Sequence, residues 1–313
     1  MTCPQKMTAG KRYQREVTTG NLSFLVAILS CIVLWSVRFD SIGYAGSLSI
    51  YVLVGYILTE LNTRFSLIRT RTALPVSLYW IIVAICSFLH PFKAINLVPL
   101  AFILAIHQLF SSYENEKSIG NTFNSFFFLS AGSMVFPPLL YFVLPFLFGM
   151  KRFRSLTVKT FFAALSGTAL PYWFLFGYAF LSDKPELFAG SLRSLCTVLP
   201  PDYGGISVNH VVAFAIVTFF SLTGSIHYLL VSYQDKTQIR IYYSFLLLIE
   251  VCIYALGYFQ PQHFQQLLSM QLIIVSLLMS HWLVLSKTRF SAIALTVTLI
   301  LLVLWAIFDV WMR

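Results

Sequence analysis

Charge is what this sequence has least of. Asp, Glu, Lys and Arg make up 10% of its 313 residues, where a soluble domain carries roughly 25%. An ordinary water-facing surface cannot be assembled from so few charges. With 58% hydrophobic residues and thirty Phe, more apolar surface is present than one globular core would bury, and a lipid bilayer is the solvent that accepts the excess. Acidic residues are scarcer still, 11 against 21 basic ones for a net charge of +10. Paired cysteines are also missing. Cys31, Cys86 and Cys252 fall inside apolar stretches, Cys3 in the N-terminal tail, and Cys196 stands alone on what is read below as the outer side, so the fold is expected not to rely on a disulfide. No CxxC pair or His/Cys spacing suggests a metal, and no cofactor is implied. No Walker motif occurs and no stretch is long enough for a soluble nucleotide-binding domain, which excludes an ATP-driven pump in a single chain.

What the sequence does have is a succession of apolar runs. A helix needs about 20 mostly apolar residues to cross a hydrocarbon core of about 30 Å. Runs of that kind occupy 21–37, 42–61, 74–90, 94–112, 160–181, 208–233, 241–259, 264–286 and 290–312. Between them lies an apolar run over 121–150, too long for one ordinary crossing. It is interrupted by Ala131-Gly132 and Pro137-Pro138, and two successive prolines remove two backbone donors and break a helix. Read as a short-helix hairpin, this run brings the total to about eleven spans. The expected fold is therefore all-α, a polytopic bundle forming a single transmembrane domain over 21–312 behind a basic cytoplasmic tail at 1–20.

Positive charge sets the orientation, because cytoplasmic loops are enriched in Lys and Arg. With the hairpin counted as two passes and the N-terminus inside, sixteen of the 21 basic residues lie on the inner side. Among them are Arg64, Arg69, Arg71, Lys151, Arg152 and Arg154. Arg38, Lys93, Lys184, Arg193 and Arg313 lie outside. With one pass the split falls to eleven against ten, so the hairpin reading wins and the C-terminus is expected outside. The same spread over several short segments argues against nucleic acid, which calls for one basic face with interleaved aromatics. Membrane lipid headgroups account for it more simply. Four basic residues precede the apolar stretch that begins at Leu22. No small-x-small cleavage site follows, so an uncleaved first helix is expected.

Ionisable groups within lipid are costly and are the default functional suspects. Glu250 is the only acid near the middle of a span. His107, His227 and His281 fall at comparable depths on other spans. They form a candidate intramembrane coupling set, with a hydrogen-bonded structural glutamic acid as the plainer alternative. Asp309, near the outer end of the last span, reads as interfacial. A second constellation faces outward: Arg38 and Asp40 after the first span, and an outer loop over 183–207. That loop carries Asp183, Glu186, Arg193 and the run Pro200-Pro201-Asp202-Tyr203-Gly204-Gly205, and His210 borders it. Pro-Pro followed by Asp and two glycines predicts a tight turn. An acid and arginines beneath a shaped loop would suit transfer of a headgroup from a phosphorylated lipid carrier. A simple cap over the bundle is the alternative. Small residues such as Ala131, Gly132, Gly167 and Gly224 are expected to allow close helix contact.

The segment Ser130-Ala131-Gly132-Ser133-Met134 through Phe136-Pro137-Pro138, the basic turn Lys151-Arg152-Phe153-Arg154 and Leu165-Ser166-Gly167-Thr168-Ala169-Leu170-Pro171 together resemble an uncharacterised family of multi-pass inner-membrane proteins from Bacteroidota. The resemblance covers about a third of the chain and implies a bacterial inner-membrane location. The short-helix hairpin followed by a basic turn is also similar to the C superfamily of polytopic glycosyltransferases, which use lipid-phosphate sugars on the outer face. That likeness implies Asp40 as the catalytic acid, with Arg38 or Arg193 beside it and a polyprenyl-phosphate-linked substrate. In that superfamily the acid sits in a long first outer loop, whereas the loop here has about half a dozen residues. Three functional classes follow: a lipid-carrier-dependent glycosyltransferase-like protein, a proton-coupled carrier or flippase using Glu250, and a non-catalytic membrane assembly subunit.

Overall fold

The computed structural model describes residues 22–37, 42–196, 204, 207–286 and 289–311, and among them it is helical and without strands. The helices in chain order are α1 (Leu22–Ser36), α2 (Ile42–Phe65), α3 (Leu74–Ile85), α4 (Leu97–Phe110), α5 (Ile119–Ser133), α6 (Val143–Arg152), α7 (Val158–Leu181), α8 (Pro185–Cys196), α9 (Val208–Val231), α10 (Thr237–Phe259), α11 (Phe264–Leu285) and α12 (Arg289–Trp311). Six of them, α2, α7, α9, α10, α11 and α12, are long and apolar enough to cross a membrane. Helices α1, α3 and α4 are apolar but shorter. At the expected interruption in 121–150, α5 ends at Ser133, Pro137–Phe142 form a 3-10 turn and α6 begins at Val143. The prolines stand at the start of that turn, where a missing N–H costs least. The tail 1–20, Arg38, Asp40 and Asp202 lie outside the described residues.

The chain divides into two compact units. The first contains residues 1–91, 207–235 and 272–313; in it α3 packs against α1, α2 and α12. Helix α3 buries nearly every residue, including Tyr79 and Ile82, so it is the core of this unit even though it is too short to be a conventional span. Gly55 of α2 lets the Trp80 indole lie against the backbone, since a Cβ there would sit 2.2 Å from the ring nitrogen. Helix α9 approaches α11 less tightly: a Cβ on Gly224 would fall 3.1–3.3 Å from Leu278 and the Met279 nitrogen.

The second unit contains residues 92–206 and 236–271. Helix α5 packs between α4 and α7. The contact with α7 is made at Gly167, where a Cβ would come 2.5 Å from the Phe123 carbonyl oxygen. That neighbour is backbone and cannot swing aside. Around Phe110 the unit closes with aromatic rings: Tyr242 stacks on it at 4.3 Å, and Phe153 and Phe245 meet it edge-on. Helix α7 starts from a capping box in which Thr160 N–H donates to Thr157 Oγ1 and Thr157 N–H to Thr160 Oγ1, satisfying donors that a helix N-terminus leaves open.

One element was not foreseen. Within the segment read as an outer loop, Pro185–Cys196 forms α8, which packs on α7 and on the Pro137–Phe142 turn, with the Tyr141 hydroxyl donating to the Leu195 carbonyl. Proline at the first helical position, Glu186 in the first turn and Arg193 in the last are the residues a helix favours at those places.

Candidate functional site

The most strongly polar group of buried side chains lies in the first unit and centres on Asp235. Its neighbours are placed by local structure. Helix α2 ends at Phe65, and Ser66 adopts a positive φ of 49°. Asn62 then holds the chain that follows, its carbonyl accepting from Leu67 N–H at 3.2 Å and its Oδ1 from Ile68 N–H at 3.2 Å. Leu67 and Ile68 are buried by this turn and Arg69 emerges from it. Asp235 closes the 3-10 turn after α9, its N–H donating to the Ser232 carbonyl. His281 lies one turn before the end of α11.

These three side chains meet. Arg69 donates to Asp235 Oδ1 from Nε at 2.9 Å and approaches it with Nη2 at 2.7 Å. His281 Nε2 lies 3.1 Å from the other oxygen, Oδ2. The carboxylate and the imidazole are fully buried, whereas the Arg69 side chain keeps 43% of its surface exposed. Burial alone would push the pKa of Asp235 up. The hydrogen bonds from His281 and Arg69 and their charges more than offset it, and the carboxyl is held below its ordinary range. The edge of the Tyr228 ring packs against His281.

Beside this group the same unit opens a cleft of about 840 Å³ between α9, α11 and α12. Its wall is chiefly apolar: Phe219, Ile226, Leu230, Met279, Trp282 and Val297 are among the lining residues. Ile226, Leu230 and Val297 also belong to the exposed apolar surface of their helices. Polar lining residues include His227, whose ring lies 5.7 Å from that of Trp282, together with Gln234 and Ser286 at the ends of α9 and α11. The hydroxyls of Thr223 and Thr298 are spent on carbonyls of their own helices. Asp235 directly follows Gln234, and His281 directly precedes Trp282. Asp235 and His281 are thus the immediate sequence neighbours of two residues that line the cleft.

The residues singled out from the sequence are distributed as follows. Glu250 and His107 belong to the second unit, and both are buried. Glu250 Oε1 accepts from Gln271 Nε2 at 3.1 Å. His227 and His281 belong to the first unit, where one lines the cleft and the other binds Asp235. Of the outward constellation, Asp183, Glu186 and Arg193 are exposed. Ser207 caps α9, its Oγ accepting from His210 N–H at 3.4 Å while His210 Nδ1 accepts from Ser207 N–H, and the His210 ring lies edge-on to Phe88. Asp309 is buried and accepts from Ser87 Oγ at 3.0 Å. Among the described residues no three His, Cys, Asp or Glu side chains cluster as metal ligands would.

Asp235 and Arg69 were missed by sequence reasoning. In the chain Asp235 is one acid at the end of a span beside Lys236, and 166 residues separate it from Arg69. The one available signal is that an acid among so few sits between two spans. No family model, curated protein or solved structure matches the chain.

Proposed function

We propose that this chain is an integral membrane protein that takes an amphiphilic lipid from the bilayer into the α9/α11/α12 cleft and works as a carrier or flippase. The observation that carries the reading is the cleft itself. It is walled by apolar side chains on membrane-length helices, it opens among their exposed apolar faces, and Gln234 and Ser286 stand where two of those helices end. Its volume of about 840 Å³ falls in the range of about 300–1,000 Å³ usual for small-molecule sites. The charge bias of the loops supports a plasma-membrane topology of about eleven passes with the polar end of the cleft on the cytoplasmic side, in a bacterial inner membrane.

Reconstitution tests the reading. Purified protein in vesicles carrying a trace of fluorescent lipid is expected to bring inner-leaflet label within reach of an external quencher faster than protein-free vesicles do. Val297→Trp, which fills the cleft, is expected to abolish that gain. Equal rates with and without protein would overturn the reading.

Glycosyl transfer from a polyprenyl-phosphate-linked carrier at the outer face is the second reading, and it rests on Arg38 and Asp40 in the sequence and not on the cleft. It predicts that an Asp40→Asn strain accumulates lipid-linked sugar, and a strain without accumulation would remove it.

A further inference from the structure

The occupant's headgroup can be read from the charges around the cleft, an inference that rests on the lipid reading above. Arg69 is linked to the cleft wall through Asp235, which directly follows the lining residue Gln234. It engages Asp235 through two nitrogens on a single carboxylate oxygen, not in the two-oxygen fork that holds a guanidinium most firmly. The second oxygen is committed to His281. The guanidinium is thus tied at one edge and 43% of its side chain is exposed. Two further exposed arginines flank Arg69 in sequence, Arg64 in the last turn of α2 and Arg71 on the α2–α3 connection. The carboxylate of Asp235 is hydrogen-bonded by His281 as well as by Arg69. The Cα atoms of Gln234 and Asp235 are about 3.8 Å apart, so the residue that holds Arg69 adjoins a residue of the cleft wall.

We infer that the cleft's occupant is a membrane lipid with an anionic phosphate headgroup, and that Arg69 binds that phosphate, with Asp235 holding the guanidinium in place when the cleft is empty. A phosphate presents oxygens in the geometry a guanidinium fork prefers. Arg69 gains a two-bond contact in exchange for its single-oxygen one, and His281 keeps Asp235 hydrogen-bonded after the exchange.

The full-length protein in neutral detergent tests this with two lipids bearing the same brominated chains, phosphatidylglycerol and diacylglycerol. Binding is read as the tryptophan quenching that disappears in Trp282→Phe. The phosphate-bearing lipid is expected to bind about tenfold more tightly, the margin of one charge-assisted contact. Arg69→Gln is expected to erase that margin while leaving diacylglycerol binding unchanged. Asp235→Asn frees the guanidinium and is expected to tighten phosphatidylglycerol binding. The double variant Arg69→Gln with Asp235→Asn buries no unpaired charge, and it should show the same loss of preference in a folded protein. A preference that survives Arg69→Gln, or phosphatidylglycerol binding weakened by Asp235→Asn, overturns the inference. Val297→Phe, which narrows the cleft without adding a tryptophan, separates the two readings. Quenching by both lipids unaffected by it defeats the cleft as a lipid site. Quenching abolished by it, with no dependence on Arg69, defeats the headgroup assignment alone.

Discussion

Two buried carboxyl groups, one in each compact unit, are held in opposite ways. Asp235 is gripped by an arginine and a histidine, partners that reward a full negative charge. Glu250 accepts from the side-chain amide of Gln271, and an amide N–H serves an ionised carboxylate and the carbonyl oxygen of a protonated acid alike. The first arrangement commits its carboxyl to one charge state; the second leaves either state hydrogen-bonded. Position explains the contrast. Asp235 lies just past the end of a span, where Arg69 can keep much of its side chain in water. Glu250 lies well inside α10, where bringing an arginine would cost several kcal/mol. The group outside the span is held as an ion pair, and the one within it by a neutral amide.

The sharpest way to break the comparison is to delete each carboxyl. Asp235→Ala leaves a buried histidine facing a vacated site and frees Arg69, and it is expected to cost about 3 kcal/mol of stability, seen as a lower unfolding midpoint in detergent. His281→Leu comes next: it strands Oδ2 of Asp235 without its buried donor while Arg69 remains, and about 1–3 kcal/mol is expected. A smaller effect is expected from acid. The folded-state carboxyl of Asp235 titrates below its ordinary value of 3.8, so its contribution is fully present above that value and is lost as pH falls through the lower folded value. The difference in midpoint between wild type and Asp235→Asn should stay constant from neutrality down to about pH 4 and shrink below it. A gap that closes between pH 7 and 5 would show that the pair does not hold the charge as described.

Much of this architecture is legible in the chain because lipid imposes simple rules. Apolar length predicts α2, α7, α9, α10, α11 and α12, and the double proline marks the break between α5 and α6. Gly132, Gly167 and Gly224 stand at close approaches, as small residues in helix contacts should. Helix α8 was passed over because only half of its twelve residues are hydrophobic and the prolines that follow draw attention to a turn. The Asp235 group was illegible for a different reason. Local periodicity says which face of a helix is buried, but not which loop from another part of the chain will arrive there. Arg69 reaches Asp235 only because Asn62 turns the chain at Leu67 and Ile68. The histidines were recognisable as suspects, yet their partners depend on helix placement. His281 meets an acid that no span prediction includes, and the mid-span acid Glu250 meets Gln271, a residue without charge.

The smallest expected change in stability is also the one that decides what Glu250 is for. Glu250→Gln replaces a carboxyl by an amide of nearly the same shape, whose carbonyl oxygen still accepts from Gln271, so the unfolding midpoint should move by less than about 1 kcal/mol. The amide cannot take up or release a proton. If Glu250 exchanges protons during lipid movement, the variant should retain normal expression and stability while losing the dependence of transport on a pH gradient. If Glu250 only ties α10 to its neighbours, transport and its pH dependence should both survive. The same substitution logic applied at Asp235 gives the opposite pattern, because Asp235→Asn removes a charge on which Arg69 and His281 depend, and there the stability should move first. Measuring both variants in one vesicle assay thus tests whether the two carboxyls differ in kind or only in depth.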